Sequence, residues 1–140
     1  MNVYEVQSMP ARLQGNTYPG RGIVVGKTAD GKHAAFAYFI MGRSANSRNR
    51  IFTEKDGAVF TEPFDASKVE DPSLIIYAAI RKYENKLIVT NGDQTDTVWK
   101  GLKAGIPFAD ALAQRSFEPD PPNFTPRISA MATFAQGDFS

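Results

Sequence analysis

Apolar residues along the chain come in short runs, grouped in pairs around a turn-forming dipeptide. Residues 23–25 and 34–41 flank Asp30-Gly31, residues 51–53 and 58–61 flank Asp56-Gly57, and residues 74–80 and 87–90 flank Glu84-Asn85. Asp-Gly suits the left-handed backbone of a tight turn, so the pattern predicts three successive hairpins and an antiparallel sheet. The nearly unbroken apolar character of 74–80 predicts a strand covered on both faces.

After "NGDQTDT" the period lengthens. Val98, Trp99 and Leu102 recur at helical spacing, with Gly105 as the stop. Pro107 fits the first turn of a second helix that carries Phe108, Ala111 and Leu112 on one face and fades near Phe117. "EPDPPNFTPR" is extended, because proline removes donors and pushes its predecessor out of the helical region. "RISAMATF" reads as a further strand. Hairpins, a helical pair and a strand make one α+β domain over residues 1–140, with helices covering antiparallel sheets. The last strand lacks a partner, so its edge calls for another chain or a longer polypeptide.

Composition narrows the chemistry. Sixteen basic and fifteen acidic residues leave a net charge of +1, which gives no global field for nucleic acid or a membrane surface. With no cysteine and one histidine, thiolate catalysis and a histidine-rich metal site are excluded. No apolar run approaches the roughly 20 residues of a bilayer span, and the first residues lack a signal-peptide pattern, so a cytoplasmic protein is expected. Anion recognition must therefore be local. "MGRSANSRNRIF" gathers Arg43, Arg48 and Arg50 within eight positions, separated by Ser and Asn. That density suits a phosphate; the plainer alternative is a loop of solvated charges.

Four segments in order, "YPGRGIVVGKTADGK", "GRSANSRNR", "NGDQTDT" and "EPDPPNFTPRIS", resemble the archaeal-type inosine monophosphate cyclohydrolase family, which also has bacterial members. The resemblance runs from about Tyr18 to Ala130. It implies a fold similar to the four-layered αββα sandwich of N-terminal nucleophile hydrolases, here lacking part of the family's C-terminal region. It also implies the last ring closure of the purine, in which 5-formamidoimidazole-4-carboxamide ribonucleotide becomes inosine monophosphate and water. Nucleophile and electrophile belong to one molecule, so positioning and proton movement suffice, and neither a cofactor nor a metal is required.

On that resemblance Arg21, Arg43 and Arg50 are the candidates for the phosphate, assisted by Ser44 and the amides near Gly22 and Gly42. Arginine's planar fork gives bidentate bonds to phosphate oxygens. Asn91, Asp93 and Thr95 are placed on the rim, where Asp93 could relay a proton if burial raises its pKa. The alternative makes Asp93 and Asp96 a helix-capping pair. Glu118 joins the substrate-binding set. Asn123 could read a carboxamide edge, and Arg127 could stabilise the oxyanion of the attacked formyl group. His33 reads as solvent-facing, and Tyr38 and Trp99 as packing residues. Two other functions compete. An N-terminal-nucleophile amidohydrolase needs a leading Ser, Thr or Cys, which Met1-Asn2 does not supply. A non-catalytic nucleotide-binding or assembly module needs only the arginine cluster. A homo-oligomer, or a second chain on the C-terminal edge, is the expected assembly.

Overall fold

All three hairpins form. The structure, a computed structural model, describes residues 8–73, 75–135 and 138–139. In it β1 (Arg21–Lys27) pairs with β2 (Ala34–Ile40), β3 (Arg50–Lys55) with β4 (Ala58–Pro63), and β5 (Ala78–Tyr83) with β6 (Lys86–Thr90), all antiparallel. Asp56 and Glu84 take positive φ values of 53° and 51°, the left-handed geometry of a tight hairpin loop.

The hairpins do not join into one sheet. β1 and β2 stand alone, while the remaining strands continue through β7 (Ser129–Ala135) and β8 (Asp138–Phe139) in the order β3-β4-β5-β6-β7-β8. The chain turns away between β2 and β3 through a short helix, α2 (Ala45–Arg48), preceded near the N-terminus by α1 (Met9–Leu13). Neither short helix carries an apolar face that the hydrophobic pattern marks.

Two strand expectations shift. β5 starts at Ala78 because the preceding carbonyls serve Thr61: its amide donates to Tyr77 O at 2.9 Å and its hydroxyl to Ile75 O at 2.8 Å. Leu74 lies outside the described residues. The strand "RISAMATF" is not the edge that the pattern implies, because β7 pairs with β6 on one side and β8 on the other. Among the described residues the outer strands of this sheet are β3 and β8.

Helix α3 (Gln94–Lys103) begins a turn earlier than its apolar spacing predicts, and α4 (Phe108–Leu112) ends before Phe117. Ile88 on β6, Val98 on α3 and Ala111 on α4 are all 0% exposed and form a core that Trp99, Leu102 and Met131 extend. Val89, next to Ile88, points to the opposite face of the sheet yet is also 0% exposed. The sheet is therefore covered on both sides. Helices α3 and α4 cover one face. The β1–β2 hairpin lies over the other: β1 touches β7, and Tyr38 packs edge-on against Phe52 of β3 with ring centroids 5.7 Å apart. Ala78 and Ala79, adjacent and both buried, meet the expectation of a strand covered on two faces. No helix among the described residues is long and apolar enough to cross a membrane.

Candidate functional site

Arg21 opens β1 directly across from Ile40, the last residue of β2. The segment that leaves β2 therefore emerges beside the Arg21 side chain. It is folded tightly on itself. Ser44 caps α2 by accepting the Ser47 amide at 3.1 Å, and Ser47 Oγ accepts the Ser44 amide at 2.9 Å, a reciprocal capping box. A Cβ on Gly42 would lie 2.4 Å from Ser47 C and O, so only glycine lets the backbone pass there. Arg50 Nε donates to Ser47 O at 2.7 Å, which ties the start of β3 to the same loop.

The opposite wall is the proline-rich segment. Glu118 N donates to Thr125 O at 3.0 Å, and Thr125 N donates to an Asp120 carboxylate oxygen at 2.7 Å, closing residues 118–125 into a loop. Between these walls lies a pocket of about 230 Å³. Arg21, Arg43, Arg50 and Ser44 line it from one side, and Glu118 and Asn123 from the other. Six residues marked in the sequence thus converge, Arg21 and Glu118 among them from 97 positions apart.

The three guanidinium groups are not equivalent. Arg21 makes a bidentate bond to Glu118, at 2.7 and 2.9 Å, and donates to the Asn91 carbonyl at 2.6 Å. Both partners are deep, with side chains 16% and 3% exposed. Burial opposes the Arg21 charge, but the Glu118 bond and charge outweigh it and raise its pKa above that of a free guanidinium. Arg50 is buried to a similar degree, and its pKa is lowered, first by that burial. Among the described residues no carboxylate pairs with Arg50 or Arg43. Arg43 instead donates to Asn123 Oδ1 and lies 5.0 Å from the centroid of the Tyr18 ring. A desolvated cation without a counter-ion is costly, and an incoming anion relieves that cost.

Four marked residues have other duties. Asn91 is 2% exposed; its side chain donates to Pro126 O at 3.0 Å and accepts from the Ile128 amide at 2.9 Å, fastening β6 to the segment before β7. Only its backbone carbonyl reaches toward the site. Thr95 is fully buried, its hydroxyl 2.6 Å from that of Thr90, and does not line the pocket. Asp93 and Arg127 lie in a neighbouring cleft of about 390 Å³ with Arg115. Arg127 donates to Asp93 and to Gln94, both at 2.7 Å, and to Ser116 O at 2.7 Å, which occupies the fork expected to meet an oxyanion. Burial alone would raise the Asp93 carboxyl, but Arg115 and Arg127 hold it below the usual carboxylate range. That is the wrong direction for a relay at neutral pH. Asp93 does occupy the N-cap of α3, yet its side chain makes no capping bond, and Asp96 pairs with Arg81 at 2.6 Å. Gly92 separates the two networks: a Cβ there would meet Arg127 Nη1 at 3.0 Å and Glu118 Oε1 at 3.1 Å.

The structure adds residues that the sequence reading passed over. Tyr18 and Ile75 line the pocket. Behind it the hydroxyls of Tyr38 and Tyr77 meet at 2.7 Å. Burial is the chief cause that pushes both phenols upward; the Arg50 and Arg21 charges oppose it without reversing it. The signal for Tyr38 was its alternation with Phe36 on β2, which puts it on the same face as Arg21.

Known proteins resemble the chain over most of its length. A profile of the family described as "IMP cyclohydrolase-like protein" matches residues 18–138. The chain is 35% identical to the IMP cyclohydrolase of Methanopyrus kandleri over 116 residues, covering 80% of this chain and 57% of that protein. It is 34% identical to the Methanococcus aeolicus IMP cyclohydrolase over 118 residues, 81% of this chain and 57% of the relative. The Methanocaldococcus jannaschii IMP cyclohydrolase is 34% identical over 116 residues, 81% and 56% respectively. The chain thus spans a little over half the length of these curated relatives.

Two outcomes follow from the charge arrangement. Glu118→Ala strands a buried guanidinium and should cost about 3–5 kcal/mol, whereas Asp93→Ala, at a half-exposed pair, should cost about 1 kcal/mol or less; urea unfolding of both variants measures the contrast, and equal losses refute it. The tyrosines set an alkaline limit. Above about pH 10 the unfolded chain loses both phenolic protons while the native state keeps them. The unfolded state then binds fewer protons, so stability falls as pH rises. Thermal midpoints from pH 8 to 11 should show this fall, and it should be shallower in Tyr38→Phe.

Proposed function

Because the chain belongs to the IMP cyclohydrolase-like family, we propose that its pocket binds a purine-pathway ribonucleotide and closes 5-formamidoimidazole-4-carboxamide ribonucleotide to inosine monophosphate. The observation that carries this reading is the pairing in one pocket of uncompensated Arg50 and Arg43 with a buried carboxylate, Glu118. Two guanidinium groups with no carboxylate partner among the described residues suit the 5′-phosphate, whose nearly two negative charges replace water with charge-assisted bonds. Anchoring by the phosphate brings the base end of the nucleotide toward Glu118 and Asn123.

Glu118 is the group suited to move protons. As the carboxamide nitrogen attacks the formyl carbon, one N–H proton passes to the carboxylate and then to the former carbonyl oxygen, which becomes a hydroxyl. The C–O bond then breaks, the formamide nitrogen gives up its hydrogen, and the hydroxyl departs as water, leaving the new C=N bond. Arg21 holds the carboxylate at both oxygens, so the base is fixed before the substrate arrives. Asn123, bonded through Oδ1 to Arg43, can present its amide hydrogens to the carboxamide oxygen. Asp93 and Arg127 support the Glu118 wall from behind Gly92, a structural part in this reading.

The layers also support a finer fold assignment. A helix pair, a six-stranded sheet and a second small sheet are three layers of an αββα sandwich of the N-terminal nucleophile hydrolase type, with β1 and β2 beginning the second sheet. Cytoplasmic location, and a homo-oligomer or partner chain on the remaining surface, belong to the same proposal. The arginine cluster by itself would also serve a non-catalytic nucleotide-binding module.

Incubation with the formamido ribonucleotide decides between them. Inosine monophosphate formation above the uncatalysed rate, followed by absorbance, supports the enzyme; nucleotide binding without turnover supports the module; neither removes both. Arg50→Ala and Arg43→Ala should each weaken nucleotide binding by about 1.5–3 kcal/mol, measured by calorimetry, and unchanged affinity in both would return these residues to surface charge.

A further inference from the structure

The hydroxyls of Tyr38 and Tyr77 meet at 2.7 Å, and among the described residues neither has a second hydrogen-bond partner. Two hydroxyls carry two protons, and their mutual bond uses one. Tyr77 is only 6% exposed, so its environment offers little solvent to take the other. Leaving a buried donor unmet is costly, and two phenylalanines would fill the same space without that cost.

The surroundings set the pair beside the pocket. Tyr38 stands opposite Ile23 on β1, and Arg21, two residues before Ile23, shares that face. Ile75, two residues before Tyr77, lines the pocket. The charges of Arg21 and Arg50 bear on both phenols, and that of Glu118 bears on Tyr77. Arg21, Arg50 and Glu118 all line the pocket. The tyrosine pair therefore backs the place where anion-binding and proton-moving groups meet.

We propose that Tyr77, oriented by a hydrogen bond from Tyr38, gives a hydrogen bond to the nucleotide oxygen that gains negative charge as the ring closes. This rests on the cyclohydrolase reading. In the terms of that reaction, the carboxamide nitrogen bonds to the formyl carbon while the carbonyl π electrons move onto oxygen. Tyr77 holds a hydrogen bond to that oxygen, and Glu118 receives the N–H proton before it passes to the same oxygen. No net proton leaves the phenol. Tyr77 is then a catalytic residue through contact with a reacting atom, and Tyr38 is a positioning residue. Burial keeps both phenols protonated, so the donor is present throughout the neutral range. This function replaces the oxyanion contact that the sequence assigned to Arg127.

The test is steady-state kinetics of the full chain with the formamido ribonucleotide. Tyr77→Phe should lower kcat by about 100-fold, the usual loss of one oxyanion donor, with KM changed by less than about threefold. Tyr38→Phe should lower kcat by roughly tenfold, because the donor remains but loses its orientation. An unchanged kcat in Tyr77→Phe, or a loss confined to KM, overturns the proposal. Thermal midpoints of each variant separate folding defects from catalysis. Should Tyr77→Phe fail to fold, 3-fluorotyrosine at position 77 keeps the ring and hydroxyl but makes the phenol more acidic. The alkaline limb of the kcat profile should then move to lower pH, and an unmoved limb overturns the proposal equally. An active wild type with unaffected variants sinks this inference alone. A wild type that binds inosine monophosphate without turning over its precursor sinks the cyclohydrolase reading and this inference together.

Discussion

The bidentate bond between Arg21 and Glu118 is the constraint on which the site depends. It joins the first strand to a loop 97 residues later, and the same guanidinium reaches the Asn91 carbonyl at the end of β6. Hairpin, sheet and proline-rich loop are therefore held at one point. Such a pair gains little net stability, because two charges leave water to form it. Its value lies in geometry: planar groups locked at two contacts cannot rotate relative to each other.

That pairing also sorts the remaining charge. With Arg21 neutralised by Glu118, Arg43 and Arg50 face the pocket with no carboxylate partner among the described residues. A second network, Asp93 with Arg115 and Arg127, closes on itself across Gly92. The two networks come within reach of one backbone position yet differ in their consequences. One closes two guanidinium groups on a shared carboxylate and supports a wall. The other leaves cations ready for an anion.

The hairpins were legible because a strand and its turn are local. Period-two alternation and a two-residue dipeptide need no information from elsewhere in the chain, and the observed registers follow from them. Two of the pocket-lining arginines were legible for a related reason: Arg43 and Arg50 are close in sequence, so the loop alone gathers them. Asp93 and Arg127 misled because charged residues flanking a strand end look alike in a linear motif. Whether such a side chain enters the pocket or pairs with a neighbour depends on Arg115, and Arg115 carried no mark in the sequence. Thr95 misled similarly, since a threonine at a helix start can face the rim or bond a buried Thr90.

The sequence by itself determined the order of the three hairpins, the helical pair and β7, the α+β class and the local density of guanidinium groups, because each is set by residues within a few positions of one another. Tertiary structure alone decided that the hairpins divide between two sheets, that Glu118 takes Arg21 and leaves Arg50 free, and that Tyr38 meets Tyr77. Those outcomes require side chains 39 to 97 positions apart to compete for partners in a desolvated space. Such competition is settled by which groups the packed layers bring within about 3 Å of one another, and no periodicity along the chain encodes that.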